Sequence, residues 1–489
     1  MNNKNKPELI TNPILNSSSY KPEDCSIGVI HIGVGNFHRA HQAVYFDSIL
    51  NNDISKNWGI AGINLRSEQS ASIKAQKNSN CHYVLKTVSS NGDKTYDEIK
   101  SILALYDWND DENEILRLFS SNKVQLITIT VTESGYYFEN DYHLNLNAKD
   151  IQDDLSGQIP KTIFGALSKG LDSRMKNNGG PLTVACCDNL EGNGVMLERF
   201  FKQYLNELDE EKLLKWVEKN VSFPSSMVDR ITPKINPNEL IEIQNMFSRH
   251  DDCSVSSEDF IQWVIEDNFA GEKPPLDNVG VEIVNDVEPY ENTKIRILNG
   301  GHTILAYFGV LRGYETFDAS INDSELSNFF DEIQTKEILP SLPENSPVDY
   351  QKYLKTTKHR FNNKYLPDTL ARICMDGASK FPIFLLPTIE WHLDKGKIPL
   401  FSLRAIASWY VFLCKVINHD VSFDYIEPKW NMLTPFLIEG GENSFASNSD
   451  LWGNVPEKYP DFVTTLVKEI QIMKNLYNIN LLHETKSAI

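Results

Sequence analysis

The chain is short of positive charge. Its 489 residues carry 47 Lys and Arg against 67 Asp and Glu, a formal net charge of -20. Phosphate backbones are held by clustered Lys and Arg, so this balance excludes a nucleic-acid binder and disfavours an anionic membrane surface as partner. An anionic small molecule stays open, because a few local cations hold one. Uninterrupted apolar runs long enough to span a bilayer are lacking. Met1 to Leu9 is polar and lysine-containing with no apolar run behind it, so neither a membrane span nor a signal peptide is expected. Cysteine is sparse: Cys25, Cys81, Cys186, Cys187, Cys253, Cys374 and Cys414 are odd in number, scattered, and form no CxxC pair. They read as reduced thiols of a cytoplasmic protein, not as a disulfide framework. Internal repeats and low-complexity tracts are also absent.

What is present is an ordinary globular composition, 41% hydrophobic, in a chain with room for two large domains. Residues 1–25 read as a loose arm rich in Asn, Ser, Lys and Pro. Ser26–Ile32, Trp58–Leu65, Val124–Val131 and Pro181–Cys187 read as strands, with helical spacing over Phe37–Leu50. Strands alternating with helical patterns predict a parallel, doubly wound α/β sheet. Near Asn285–Pro289 the character changes. Ile295–Leu311, Ser402–Ile417 and Phe462–Leu482 carry a 3.6-residue period, and Ile383–Leu393 is helix-like although Pro387 interrupts it.

Gly33-Val34-Gly35-Asn36-Phe37-His38 follows the first strand and precedes a helix, the context that a dinucleotide-binding turn requires. The first glycine permits the tight turn. The second lets the backbone approach a pyrophosphate at the helix N-terminus, beside Asn36 and Phe37. His38 stands at the third glycine position of the usual GxGxxG. After the second strand, Glu68 is the candidate acid for the ribose of NAD, while Arg66 suits the 2′-phosphate of NADP. NAD is the expected cofactor, with NADP open. His38 and His41 lie three apart, but no cysteine or acid ligand set accompanies them, so no metal is expected. The expected organisation is a Rossmann-type domain over 1–286 and a mostly α-helical domain over 287–489.

Lys294-Ile295-Arg296-Ile297-Leu298-Asn299-Gly300-Gly301-His302 places a lysine, a carboxamide and an imidazole at offsets zero, five and eight. At roughly 100° per residue on an α-helix they sit near 0°, 140° and 80°, and can face one cleft. A base, a neutral donor and a donor/acceptor are what metal-free alcohol oxidation requires. A lysine, with an ordinary pKa of ~10.4, becomes a usable base when burial and neighbouring cations lower it, and Arg372 and Lys380 are candidates for those cations. Taken singly, Lys294 reads as a surface lysine opening a helix, Asn299-Gly300-Gly301 as a loop or helix end, and His302 as a core histidine. Their shared face and the apolar continuation through Ile304, Leu305 and Phe308 favour a site. Asp188-Asn189-Leu190-Glu191-Gly192-Asn193-Gly194 follows a strand, where sheet-based active sites lie, and offers Asn189 as a second donor.

Six stretches stand in one order: Gly33–His41, Thr130-Val131-Thr132-Glu133-Ser134-Gly135-Tyr136, Cys187–Leu190 with Asn193-Gly194, Phe223–Pro233, Lys294–His302, and Asp376-Gly377-Ala378-Ser379-Lys380-Phe381-Pro382. The chain resembles the long-chain mannitol dehydrogenase family, the polyol-specific long-chain dehydrogenases and reductases, over nearly its whole length. The resemblance implies a metal-independent enzyme that interconverts a secondary alcohol of an open-chain polyol and its ketose with NAD or NADP, D-mannitol and D-fructose being favoured. It implies Lys294 as general base, Asn189 and Asn299 as the pocket for the reacting oxygen, and His302 on substrate hydroxyls. It further implies Asp229, Arg372 and Lys380 along the sugar site, Glu291 near the mouth of a proton path to the lysine, and Glu133 among the cofactor-binding residues. Family members have an N-terminal Rossmann domain and a mostly helical C-terminal domain with the site between them, and many are monomers. Two departures are visible. Ser134 stands where many members have lysine, and Gln69 follows Glu68 where NAD-preferring members often carry aspartate. Within the family, reduction of fructuronate or tagaturonate stays open, since Arg372 and Lys380 suit a hexuronate carboxylate, as does a pentitol such as arabinitol. A non-catalytic NAD-binding sugar sensor is the reading from another class. The intact Lys294, Asn299 and His302 argue against it, since a sensor needs no base.

Overall fold

Apolar side chains at consecutive positions need cover on both faces of a strand, and the N-terminal half supplies it. The computed structural model describes residues 13–479 except 53–54, 79, 139–142, 250–251 and 439. The chain divides into two units. The first runs to Glu288 apart from Ser90–Gly92, and the second comprises Ser90–Gly92 and Pro289–Ile489.

The strands of the first unit begin with β1 (Leu15–Ser17), β2 (Ile27–Ile32), β3 (Gly59–Asn64), β4 (Tyr83–Val88), β5 (Lys94–Ile99), β6 (Ile102–Asp107) and β7 (Leu126–Ile129). They continue with β8 (Leu182–Cys186), β9 (Val221–Ser222), β10 (Ser226–Asp229), β11 (Val255–Glu258), β12 (Gln262–Glu266) and β13 (Glu282–Val284). The four expected strands, β2, β3, β7 and β8, form the centre of a parallel sheet ordered β6-β3-β2-β7-β8-β9. Ile30, Ile32, Ile127, Ile129 and Val184 enter one core with residues of the helices Glu112–Ser120, Ile163–Lys176 and Asn193–Glu207. Val29, Leu126 and Ala185 enter another with Ala43, Phe46 and Ile49. Both faces are therefore buried, as a doubly wound sheet demands.

Three features of this unit differ from the expectation. Two further sheets, β1-β5-β4-β11 and β10-β12-β13, accompany the parallel one. The expected loose arm holds β1, which pairs in parallel with Tyr96–Glu98 of β5; residues 1–12 of that arm lie outside the described residues. The helix expected over Phe37–Leu50 is two, Asn36–Ala40 and Gln42–Asn51, broken at His41 (φ −127°, ψ −90°). His41 Nε2 is held 2.8 Å from the Gln262 carbonyl oxygen, which fixes the break.

The second unit is built around the helix Leu400–Ile417, where Leu403, Ala405, Ile406, Ala407 and Trp409–Cys414 are wholly buried. By length and composition this helix is apolar enough to cross a membrane, although Arg404 and Lys415 interrupt its apolar run. Here it is the core helix, packed against Gly300–Leu311 and Pro460–Leu476. A helix apolar all round belongs inside. Pro387 does not interrupt its helix: Gly377–Asp394 runs through both Pro382 and Pro387. Burial of Phe381, Leu385 and Ile389 on that helix offsets the lost backbone bonds.

One buried cation ties the sheet of the first unit together. Arg174 gives Nε to the Gly180 carbonyl (2.8 Å), Nη1 to Phe119 (2.8 Å) and Ser121 (2.9 Å), and Nη2 to Val124 and Pro181 (2.9 Å each). These carbonyls belong to the turns that enter β7 and β8. Arg174→Met removes the guanidinium donors from five carbonyls, those of Phe119 and Val124 in the buried core. It is expected to lower stability by about 3–5 kcal/mol in denaturant unfolding followed by circular dichroism. An unchanged midpoint would contradict this account of the sheet.

Candidate active site

The glycine turn is built around a close approach. Gly33 has φ +96°, and a Cβ there would lie 2.0 Å from the Thr130 carbonyl oxygen, so glycine is obligatory. Its N–H bonds to the Ile63 carbonyl (3.1 Å), and its carbonyl accepts from Thr130 Oγ1 (2.8 Å). The turn is thereby fixed against both neighbouring strands. Gly35 is different. A Cβ there would meet nothing nearer than the Gly33 carbonyl oxygen at 3.9 Å, so the protein's own packing does not require glycine. That open cradle, at exposed Gly35 and flanked by half-buried Asn36 and Phe37, fits a dinucleotide pyrophosphate.

His38, in place of the third glycine, is fully buried and stacks on His31 of β2 with centroids 3.3 Å apart. Two flat rings let the short helix lie close to the strand. Burial pushes the His31 pKa down to about 3 and that of His38 well below its ordinary value, so both are neutral. His38 and His41 serve packing and a backbone hydrogen bond, respectively.

Around the carboxyl ends of the central strands, polar side chains brace the loops. Asn64 closes β3: its Oδ1 accepts from Arg66 N (3.2 Å) and its Nδ2 donates to the Arg66 carbonyl (2.8 Å) and to Asp107 Oδ2 (3.1 Å). Arg66 and Glu68 are both exposed beyond it. Asp188, just after β8, accepts from Val131 N (2.9 Å), Thr132 N (3.0 Å) and the Tyr136 hydroxyl (2.6 Å). It holds Thr132 at φ +67° and so presents exposed Glu133. Asn193 donates to the carbonyls of Asp188 (2.9 Å) and Ser226 (2.7 Å) and accepts from Ser226 N (2.9 Å). Exposed Asn189 thus sits on a turn pinned at both ends, and β10 delivers buried Asp229. Asp188, Tyr136 and Asn193 were visible in the sequence only as residues of shared stretches, without these roles.

In the second unit the nine-residue stretch does not follow α-helical geometry. Lys294–Asn299 is a π turn that runs directly into the α-helix Gly300–Leu311. The Gly300 N–H reaches the Ile295 carbonyl five residues back. An α-helix would set Lys294 and Asn299 about 140° apart. The i→i+5 turn instead winds them closer to one face, and His302 follows Asn299 by three α-helical residues, near that face. The three groups therefore form one stripe. The alternative readings of Asn299-Gly300-Gly301 as a loop or helix end do not hold, because the helix is continuous.

The turn is supported from behind. Gln334, in a second π segment (Gln334–Ile338), donates to the Ile297 carbonyl (3.0 Å). Buried Arg296 donates to Ser341 Oγ (2.7 Å) and to Thr388 Oγ1, and burial pushes its pKa down to about 10. A Cβ at Gly301 would lie 2.6 Å from Phe330 Cε2 and 2.9 Å from Gln334 Nε2, so this glycine makes room for the brace.

Lys294 is 8% exposed and Glu291, one turn earlier, 6%. The Asn299 carboxamide is half-buried. His302 is clamped between Phe317 (4.2 Å, edge-on) and Phe361 (5.1 Å, stacked), with Nε2 3.9 Å from Asp368 Oδ2. Burial pushes its pKa down to about 3. Asp368 opposes that shift, while Arg372, Lys380 and Arg360 reinforce it. The imidazole is therefore neutral and able both to donate and to accept. Arg372 and Lys380 lie close enough to His302 to shape its charge state, and Lys380 Nζ donates to the Ile373 carbonyl (2.9 Å).

The chain matches two family models. Residues 27–278 match the mannitol dehydrogenase Rossmann domain and residues 286–474 the mannitol dehydrogenase C-terminal domain. It is 34% identical to mannitol dehydrogenase 2 of Saccharomyces cerevisiae over 87% of this chain and 85% of that one. It is 35% identical to D-arabinitol 4-dehydrogenase of Klebsiella pneumoniae over 92% and 98%. Among solved structures, the ternary complex of Pseudomonas fluorescens mannitol 2-dehydrogenase with NAD and D-mannitol superposes with a TM-score of 0.82, at 29% identity over 95% of each chain. With both halves matched and relatives of this similarity, the chain belongs to the mannitol dehydrogenase family.

Proposed function

We propose that this protein is an NAD-dependent polyol dehydrogenase that interconverts D-mannitol and D-fructose. The π turn carries the reading, because it stacks a buried amine, a half-buried carboxamide and a neutral imidazole on one stripe. In this reading Lys294 takes the proton of the reacting hydroxyl. Asn299, with Asn189 from the first unit, donates to the oxygen as negative charge grows on it, each donor being worth roughly two to four kcal/mol. His302 holds a neighbouring hydroxyl, and Asp229, Arg372 and Lys380 hold the rest of the chain of hydroxyls. Glu291, one helical turn before the lysine, passes the proton outward. NAD, bound over Gly33, Gly35, Asn36 and Phe37 with Glu68 or Arg66 at the ribose and Glu133 nearby, supplies the hydride acceptor. The relative solved with NAD and D-mannitol supports the cofactor and the substrate. The D-arabinitol relative supports oxidation of a pentitol as the second reading. All seven cysteines are free thiols, which supports a reducing, cytoplasmic setting, and we propose a monomer.

Lys294→Ala is expected to lower kcat by at least about 10²-fold with mannitol, while NADH fluorescence titration shows the dinucleotide still bound. Near-normal turnover would defeat the mechanism. Substitution of the two glycines separates the π brace from general helix effects. Gly301→Ala drives a methyl into Phe330 and Gln334 and is expected to cost about 1–3 kcal/mol of stability and most of the activity. Gly300→Ala meets nothing nearer than 3.4 Å and is expected to keep both. Equal effects of the two changes would contradict the role assigned to the brace.

A further inference from the structure

We propose that Asp368 sets the charge preference of the sugar site: by capturing the Arg372 fork it makes the protein select neutral polyols and reject sugar acids. The inference rests on the reading of His302, Arg372 and Lys380 as sugar-site residues. A substrate carboxylate is recognised best by a free, planar guanidinium fork. Here that fork is taken. Arg372 Nε donates to Asp368 Oδ1 at 2.7 Å, and Nη2 donates to Oδ2. The same Oδ2 faces His302 Nε2 at 3.9 Å.

This is not an ordinary surface pair, in which both ends are hydrated and little is gained. The Asp368 side chain is 14% exposed and that of Arg372 67%, so the acid is embedded and the guanidinium reaches outward. The acid's backbone is fixed as well. Phe317 N bonds to the Asp368 carbonyl (2.9 Å), a bridge joins Thr316 to Thr369, and Thr369 Oγ1 caps the following helix by accepting from Arg372 N (3.4 Å). The other cations acting on His302 are placed differently. Arg360 is buried, and Lys380 gives an N–H to the Ile373 carbonyl. The most exposed cation of the group, Arg372, is thus neutralised. Its remaining N–H groups suit hydroxyl oxygens, which need a donor but no net charge.

The test compares D-mannitol with the corresponding hexonate, D-mannonate, as substrates with NAD, in the wild type, Asp368→Asn and Asp368→Asn/Arg372→Gln. The wild type is expected to prefer mannitol. Asp368→Asn is expected to raise the hexonate-to-polyol ratio of kcat/KM about tenfold or more, mainly through a lower KM for the hexonate, since it uncovers one charge at contact distance. The double variant is expected to return the ratio to the wild-type value. An unchanged ratio in Asp368→Asn with native circular dichroism overturns the inference. Competitive inhibition of wild-type mannitol oxidation by mannonate needs no variant: weak inhibition is expected, and a Ki below the mannitol KM overturns the inference. A wild type that oxidises mannonate better than mannitol also overturns it, yet leaves the dehydrogenase reading standing. A wild type inert toward both defeats that reading itself.

Discussion

The widened turn at Lys294–Asn299 is the constraint on which the account of the second unit depends. A π turn gives up regular i→i+4 bonding, and its retention in a buried helix needs compensation. Here the compensation is specific. The Ile297 carbonyl receives the Gln334 amide, Arg296 is anchored on two hydroxyls, and Gly301 has no side chain to push the brace away. The outcome is a change of register. Residues five apart come closer to one face, so a base and a hydrogen-bond donor can address one oxygen.

Electrostatics follows from the same placement. The chain as a whole is strongly acidic, yet Lys294, Arg296 and Arg360 are each buried in its helical unit. Burial keeps the His302 imidazole neutral even with an aspartate 3.9 Å away, and Arg372, Lys380 and Arg360 reinforce it. A neutral imidazole suits a substrate made of hydroxyl groups, each of which both donates and accepts. The first unit reaches rigidity by other means. Asp188, Asn193 and Asn64 tie the ends of the strands with hydrogen bonds to backbone groups, so the loops that carry Asn189, Glu133 and Arg66 are held by short polar side chains.

Much of this was legible in the residues. The central strands could be read because both of their faces are apolar, and the glycine turn because Gly33 has no alternative. The two smaller sheets were not read, although Asn91-Gly92 between alternating segments is a hairpin signal. Gly92 has φ +89° and joins β4 to β5. The break at His41 left no mark, since the apolar period continues across it. The π turn is invisible for the same reason: one extra residue in a single turn barely shifts a 3.6-residue pattern. The chemistry of Lys294, Asn299 and His302 and a shared face on an ideal helix made the stretch stand out, although the observed turn is π and not α. The pairing of Asp368 with Arg372 needed the structure, because spacing alone does not tell a solvated pair from one embedded against an imidazole.

The central claim is that the turn delivers the Lys294 amine and the Asn299 carboxamide to one substrate oxygen. A crystal structure of the protein with NAD and a polyol tests it most directly. The account requires Lys294 Nζ and Asn299 Nδ2 both within hydrogen-bond distance of the reacting hydroxyl, with the Gly300 N–H still on the Ile295 carbonyl. A hydroxyl held by other groups, with the amine turned to bulk water, would contradict it.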